Sequence, residues 1–289
     1  MPSRWSARRE KFRAILAGSD CIHPGSVHDP ISARIAEEVG FEAGIFAGSV
    51  ASLTILGAPD LIVITLSEFA EQALRINRGG ELPLIVDADH GYGNALNVMR
   101  TVEELENAGI AAMSIEDTEL PHPFGKAGKP QLLSIEEGAG KMRAAVAARR
   151  DADLAIFGRT SARSITGLDD AIARARAYEA AGVDAMFVVG FKDAGDLAKL
   201  ADAIDIPIVL GSGGAEMGDS AFLASHRVRV SLLGHQPFAA SIQALYDTLK
   251  ALRDGVDPKA LKGIAPKALV DRVTRAADYQ AAMDDYLER

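Results

Sequence analysis

The chain has 289 residues, 48% of them hydrophobic and 25% charged, with a formal net charge of −9 and one cysteine. That size and balance suit an ordinary globular protein of one large or two small domains. The lone Cys21 excludes an intramolecular disulfide, and no apolar run reaches the roughly 18 residues a membrane helix needs. The acidic balance, without clustered Lys and Arg, argues against a nucleic-acid surface, although an anionic substrate is still taken if the site supplies its own positive charge. Residues 1–10 are charged and lead into no apolar core, so a cytoplasmic location is expected.

In chain order, residues 11–18 read as an amphipathic helix and 20–22 as a first strand leading into His23-Pro24-Gly25-Ser26. Asp29-Pro30 opens a helix that Gly40 ends. A strand at 43–46 runs into Ala47-Gly48-Ser49. A helix at 67–77, a strand at 83–86, a helix at 94–108 and a strand at 111–115 follow, the last ending in Glu116-Asp117. Residues 118–133 carry three prolines and two glycines without periodicity, which suits a long loop of the kind that often forms a lid. Helices at 134–149, 168–181, 194–204 and 236–253 then alternate with strands at 154–157, 185–189, 207–210 and 228–233.

About eight strand and helix units alternating in one direction require parallel strands joined by helical crossovers. The count and the length favour a closed (β/α)8 barrel over an open doubly wound sheet, and no Gly-x-Gly-x-x-Gly follows the first strand. Residues 1–289 are read as a single barrel domain. Its tail, 254–289, holds two short helical pieces at 267–276 and 279–287 and is expected to pack on the barrel's outside or on a neighbouring subunit, with a disordered tail as the alternative.

Chemistry in such a barrel sits where strands end. The organising stretch is Ile85-Val86-Asp87-Ala88-Asp89-His90-Gly91-Tyr92-Gly93-Asn94, a buried strand that stops in two acids and then glycines. Two positions apart on an extended backbone, both carboxylates point to one side, where they need a cation or a shared proton. Glu116-Asp117 repeats the arrangement one strand later. Oxygen ligands with no thiol among them suit Mg²⁺, with Mn²⁺ as the alternative. Asp60 is a further ligand or a turn residue. Arg159 either pairs with Glu116 or Asp117 or holds a substrate carboxylate. Ser49 is a turn hydroxyl or a binding group, His235 a packing residue or a substrate contact, and Cys21 an inert core thiol. Spacing does not rank His23, His28 and His90.

Asp87 to Asn94, with Glu116-Asp117, Ser32-Ala33-Arg34 and Gly48-Ser49, resembles the isocitrate lyase and phosphoenolpyruvate mutase superfamily over residues 11–253. The resemblance implies a (β/α)8 barrel, usually a homotetramer built as a dimer of dimers, often with its last helix exchanged between subunits. It also implies Mg²⁺ and an α-keto acid or its enolate as ligand. Lyases of that superfamily carry Lys-Lys-Cys-Gly-His in one loop, and the phosphonate mutases carry Lys-Thr-Asn-Ser. Here the loop reads Leu120-Pro121-His122-Pro123-Phe124-Gly125-Lys126, with neither signature. The chain is most similar to the oxaloacetate decarboxylase branch, which implies that Arg159 and His235 contact substrate. Gly211-Ser212-Gly213-Gly214 stands where that branch carries a tyrosine, so a wider or differently shaped pocket is expected.

The reading is a Mg²⁺-dependent decarboxylation of oxaloacetate to pyruvate. Asp87, Asp89, Glu116 and Asp60 hold the metal, Ser49, Tyr92, Arg159 and His235 surround the substrate, and Arg159 and His235 act in catalysis. The alternatives are a 2-methylisocitrate-type lyase, an oxaloacetate hydrolase, a carboxyphosphonoenolpyruvate mutase or a non-catalytic metabolite-binding barrel.

Overall fold

The computed structural model describes residues 5–125, 129–211, 217 and 219–287. Eight strands pair in parallel and in chain order: β1 (Gly25–Ser26), β2 (Gly44–Ala47), β3 (Leu84–Asp87), β4 (Ala112–Glu116), β5 (Ala155–Thr160), β6 (Ala185–Val188), β7 (Ile208–Leu210) and β8 (Val228–Ser231). Ile22, just before β1, makes a parallel bridge to Val230, with Ile22 N donating to Arg229 O at 2.9 Å and Ser231 N to Ile22 O at 2.9 Å. That bridge joins the sheet's two edges into the expected (β/α)8 barrel.

The first strand differs from the reading at 20–22. Ile22 pairs with β8 and Gly25–Ser26 with β2, and between them Pro24 has no amide hydrogen for a ladder.

The main crossovers are helical, and several begin with a side-chain cap. The helices are α1 (Ser6–Ala17), α2 (Pro30–Glu38), α3 (Gly48–Ala51), α4 (Leu66–Gly79), α5 (Ala95–Asn107), α6 (Ile135–Ala148), α7 (Ala162–Ile165), α8 (Leu168–Ala180), α9 (Ala194–Ala203), α10 (Ser220–Ser225), α11 (Gln236–Arg253), α12 (Lys267–Thr274) and α13 (Ala276–Tyr286). Asp29 accepts from Ser32 N at 2.6 Å, Asn94 from Leu96 N at 3.0 Å, and Ser134 from Glu137 N at 3.1 Å. The short α3, α7 and α10 were not legible as helices, because four to six residues carry too little periodicity.

Strand parity divides the core in two. Leu84, Val86, Ile156, Met186 and Val188 face the helices, whereas Ile45, Ile85, Ala112, Phe157 and Phe187 fill the barrel. The interior cluster includes Phe12 and Leu16 of α1, with the Phe12 ring 6.0 Å from that of Phe157. Arg9 of α1 donates to the carbonyls of Glu106, in the last turn of α5, and of Ile110, just before β4, and Arg13 to those of Asp153 and Leu154, just before β5. So α1 plugs the N-terminal mouth and leaves the opposite mouth for chemistry. Phe12→Ala is expected to cost about 3–5 kcal/mol of stability. Denaturant unfolding checks this, and a loss below about 1 kcal/mol would show that α1 does not seal the core.

Candidate active site

Parity also places the polar residues. Asp87 follows Ile85 in phase, Glu116 follows Ala112 and Ser114, and Arg159 follows Ala155 and Phe157, so all point into the barrel at its carboxyl end. Register sets Asp87 beside Ser114 and Glu116 beside Arg159. Asp87, Glu116 and Arg159, together with Ser49, Asp60, Asp89 and His235, line a cavity of about 390 Å³. Ile45, Phe187, Val189 and Leu232 supply its apolar wall.

Arg159 is the pivot. Its Nη1 donates to Asp87 Oδ2, its Nε lies 3.9 Å from Glu116 Oε2, and its guanidinium carbon sits 5.3 Å from the centre of the Phe187 ring. Asp87 also accepts from Ser114 Oγ at 2.8 Å, and Glu116 from Thr118 Oγ1 at 2.6 Å. Asp89 is different: it is 5% exposed, and its Oδ2 has no hydrogen-bond partner. Burial, then the neighbouring charges of Asp87, Asp60 and Glu116, hold its carboxyl well above the usual range. Burial also raises Glu116 against the pull of Arg159, and raises Asp60 with help from Asp87.

Asp89 reaches the cavity by a route unlike the one spacing suggested. Its φ of 47° is left-handed, so the backbone is turning there and the two acids do not share an extended strand. The carboxylate wedges against Gly48, where an added Cβ would lie 2.4 Å from Asp89 Oδ2. The need for glycine at 48 comes from that contact.

Two other expectations shift, those for Asp117 and Tyr92. Asp117 has the opposite parity to Glu116, is fully buried behind the sheet, and accepts from Tyr178 Oη at 2.6 Å and Arg174 Nη1 at 2.9 Å. It is a structural ion-pair partner. Tyr92, placed beside the substrate on sequence grounds, does not line the cavity. Its left-handed backbone, φ 59°, carries the ring onto the outer core, 6.4 Å from Phe69 and 6.0 Å from His90. Cys21 lies away from the cavity, with burial pushing its thiol up to about 11.

His235 meets Ser26 Oγ through Nδ1 at 2.8 Å, and burial lowers its pKa while Asp87 opposes. His122, on the loop after β4, lines the cavity; His23 and His28 do not. His122, Ser114 and Ser26 are functional candidates the sequence reading did not pick. Parity with Glu116 would have found Ser114, whereas Ser26 needed the true position of β1. Lys126 and residues 212–214 lie outside the described residues, so the small-residue run is represented only by Gly211, which lines the cavity.

Among the described residues, no three His, Cys, Asp or Glu side chains are already drawn together as metal ligands. The donor set nevertheless fits a hard divalent cation. It is all oxygen, it includes a buried carboxylate oxygen without a partner, and three of its members are pushed toward protonation.

A parallel barrel with carboxylates, a guanidinium and an imidazole at its carboxyl mouth is an enzyme architecture. The chain belongs to the phosphoenolpyruvate phosphomutase family, whose profile matches residues 12–253. It is 58% identical over 281 residues to an oxaloacetate decarboxylase of Bradyrhizobium diazoefficiens, covering 97% of each chain. It is also 58% identical over 273 residues to an oxaloacetate decarboxylase of Rhodopseudomonas palustris strain BisB18, covering 94% of each. A solved phosphonopyruvate hydrolase in complex with oxalate and Mg²⁺ superposes with a TM-score of 0.86 at 26% identity, over 97% of this chain and 99% of that one. An oxaloacetate acetylhydrolase bound to the inhibitor 3,3-difluorooxalacetate superposes with a TM-score of 0.85 at 28% identity, over 98% of both chains.

His90 offers a check on this electrostatic picture. Burial and then the charge of Lys141 lower its pKa from 6.5 to about 4. Folding thus withholds a proton, the unfolded chain binds more of them, and this group's share of stability is lost as pH falls from 6.5 through 4. An imidazole proton resonance of His90 that titrates near 4 is expected; a midpoint near 6.5 would contradict it.

Proposed function

We propose that this chain is a divalent-cation-dependent oxaloacetate decarboxylase that releases pyruvate and CO₂. The observation that carries the reading is the convergence of four carboxylates, Arg159 and His235 on one cavity that no thiol lines among the described residues. A β-keto acid loses its carboxylate without first giving up a proton, so neither a strong base nor a cysteine is required. The sequence relatives named as oxaloacetate decarboxylases support the same substrate.

Asp87, Asp89, Glu116 and Asp60 would hold Mg²⁺, or Mn²⁺ in its place, some of them through water; bound there, the cation supplies Lewis-acid stabilisation for negative charge on the substrate's keto oxygen. Arg159, held ready by Asp87, binds a substrate carboxylate with its planar fork. Ser49 binds the keto-acid end through its hydroxyl and amide. The wall of Phe187, Val189 and Leu232 keeps water from the leaving carboxylate, which favours departure as neutral CO₂. His235, oriented by Ser26, contacts the substrate and relays the proton that the methyl carbon of pyruvate takes up. Tyr92 backs Asp87 and Asp89 from the outer core and touches no substrate.

The enzyme works in the cytoplasm as a homotetramer, a dimer of dimers. In support, α11 buries none of its residues, and it exposes Ile242, Leu245 and Leu249. Among the described residues no helix is long and apolar enough to cross a membrane.

Purified protein with oxaloacetate and Mg²⁺ should form pyruvate well above the spontaneous rate, and a chelator should abolish the excess. Oxalate and acetate as products would instead favour hydrolysis. Asp87→Ala should stay folded and lose most activity, while His235→Ala should slow turnover by roughly 10²-fold or more. Unchanged turnover of Asp87→Ala without added metal would sink the cation's role, and unchanged kinetics of His235→Ala would return that histidine to packing.

A further inference from the structure

The acid cavity depends on a turn that is held from outside it. Between β3 and α5 the backbone is left-handed at Asp89 (φ 47°), Gly91 (75°), Tyr92 (59°) and Gly93 (146°). Tyr92 carries a side chain that resists such angles, and conformations of this kind persist only where the surroundings over-determine them. Each carbonyl from Asp89 to Gly91 is tethered to a different element. Asp89 O accepts from Glu116 N on β4 at 2.8 Å, Gly91 O from Thr101 Oγ1 on α5 at 3.0 Å, and His90 O from Lys141 Nζ on α6.

The third tether is unlike the others. Lys141 is 3% exposed, does not line the cavity, and gives its ammonium to a peptide carbonyl. A buried ammonium costs far more than a neutral donor that could satisfy the same carbonyl, so its charge calls for a reason. Burial lowers its pKa, and the charges of Glu137 one turn back on α6 and of Glu116 and Asp117 at the end of β4 oppose that and favour the ammonium. Lys141 is thus a cation outside the cavity lining, near Glu116 and bonded to the residue next to Asp89.

We infer that Lys141 is a positioning residue for the divalent-cation site: it fixes the turn that delivers Asp89 to the cavity and sets a balancing charge near Glu116. This rests on the cation-binding reading of the cavity given above. It touches neither substrate nor cation and acts through the His90 carbonyl. Groups that orient metal ligands in this way typically change metal affinity about 10- to 100-fold when removed.

Two substitutions test it on the full-length chain. Lys141→Met keeps the length of the stem without a donor; Lys141→Gln keeps a neutral donor on a shorter arm. Free Mn²⁺, followed by its paramagnetic resonance signal, gives the cation affinity without any turnover. Both variants, with wild-type near-ultraviolet circular dichroism, should bind Mn²⁺ at least about tenfold more weakly. In the oxaloacetate assay their apparent Mg²⁺ constant should rise more than their KM for substrate, a split that general loss of packing does not produce. A folded variant of either kind that binds Mn²⁺ as tightly as the wild type overturns the inference while the cavity reading stands. A wild-type protein that takes up no Mn²⁺ overturns the cavity reading, and the inference falls with it.

Discussion

Like charge held at close quarters is the constraint around which this barrel mouth is built. Asp60, Asp87, Asp89 and Glu116 face one cavity, and Arg159, the guanidinium among them, is already engaged by Asp87. Burial removes the water that would otherwise screen them, so the carboxyls of Asp60, Asp89 and Glu116 are pushed toward their neutral forms. The cation proposed for this site would relieve that repulsion. The rest of the mouth can be understood as scaffolding for it: Ser114 and Thr118 bond the acids from β4 and just beyond it, Gly48 yields space to Asp89, and Phe187 lies against Arg159.

The barrel separates that electrostatic burden from the work of stability. At the N-terminal mouth α1 inserts Phe12 and Leu16 and, with Arg9 and Arg13, satisfies carbonyls at the end of α5 and just before β4 and β5. Asp117, one residue from Glu116, takes no part in the cavity because the pleat sends it to Arg174 and Tyr178. A single step along the chain therefore separates an acid that lines the cavity from one that braces the outer core.

Much of this was legible in the sequence, for identifiable reasons. Alternating strand and helix patterns gave the barrel, since parallel strands with helical crossovers leave few other closed solutions. Acids ending apolar runs gave Asp87, Asp89 and Glu116. What stayed hidden depended on backbone conformation or on pairing. The left-handed turn that sends Asp89 inward and Tyr92 outward leaves its trace in Gly91 and Gly93, but glycines do not say which way a neighbouring side chain will face. The split of the first strand around Pro24 concealed Ser26, and with it the group that orients His235. Lys141 lies more than 50 positions from Asp89, so nothing local could join them.

The central claim is that these acids form one cation site. Calorimetric titration of Mg²⁺ into the wild-type protein in the presence of oxalate, beside the same titration of Asp89→Asn, tests it most directly. The account predicts one cation taken up per chain by the wild type and loss of most of that affinity in the variant. No uptake by the wild type, or equal uptake by a folded variant, would contradict it.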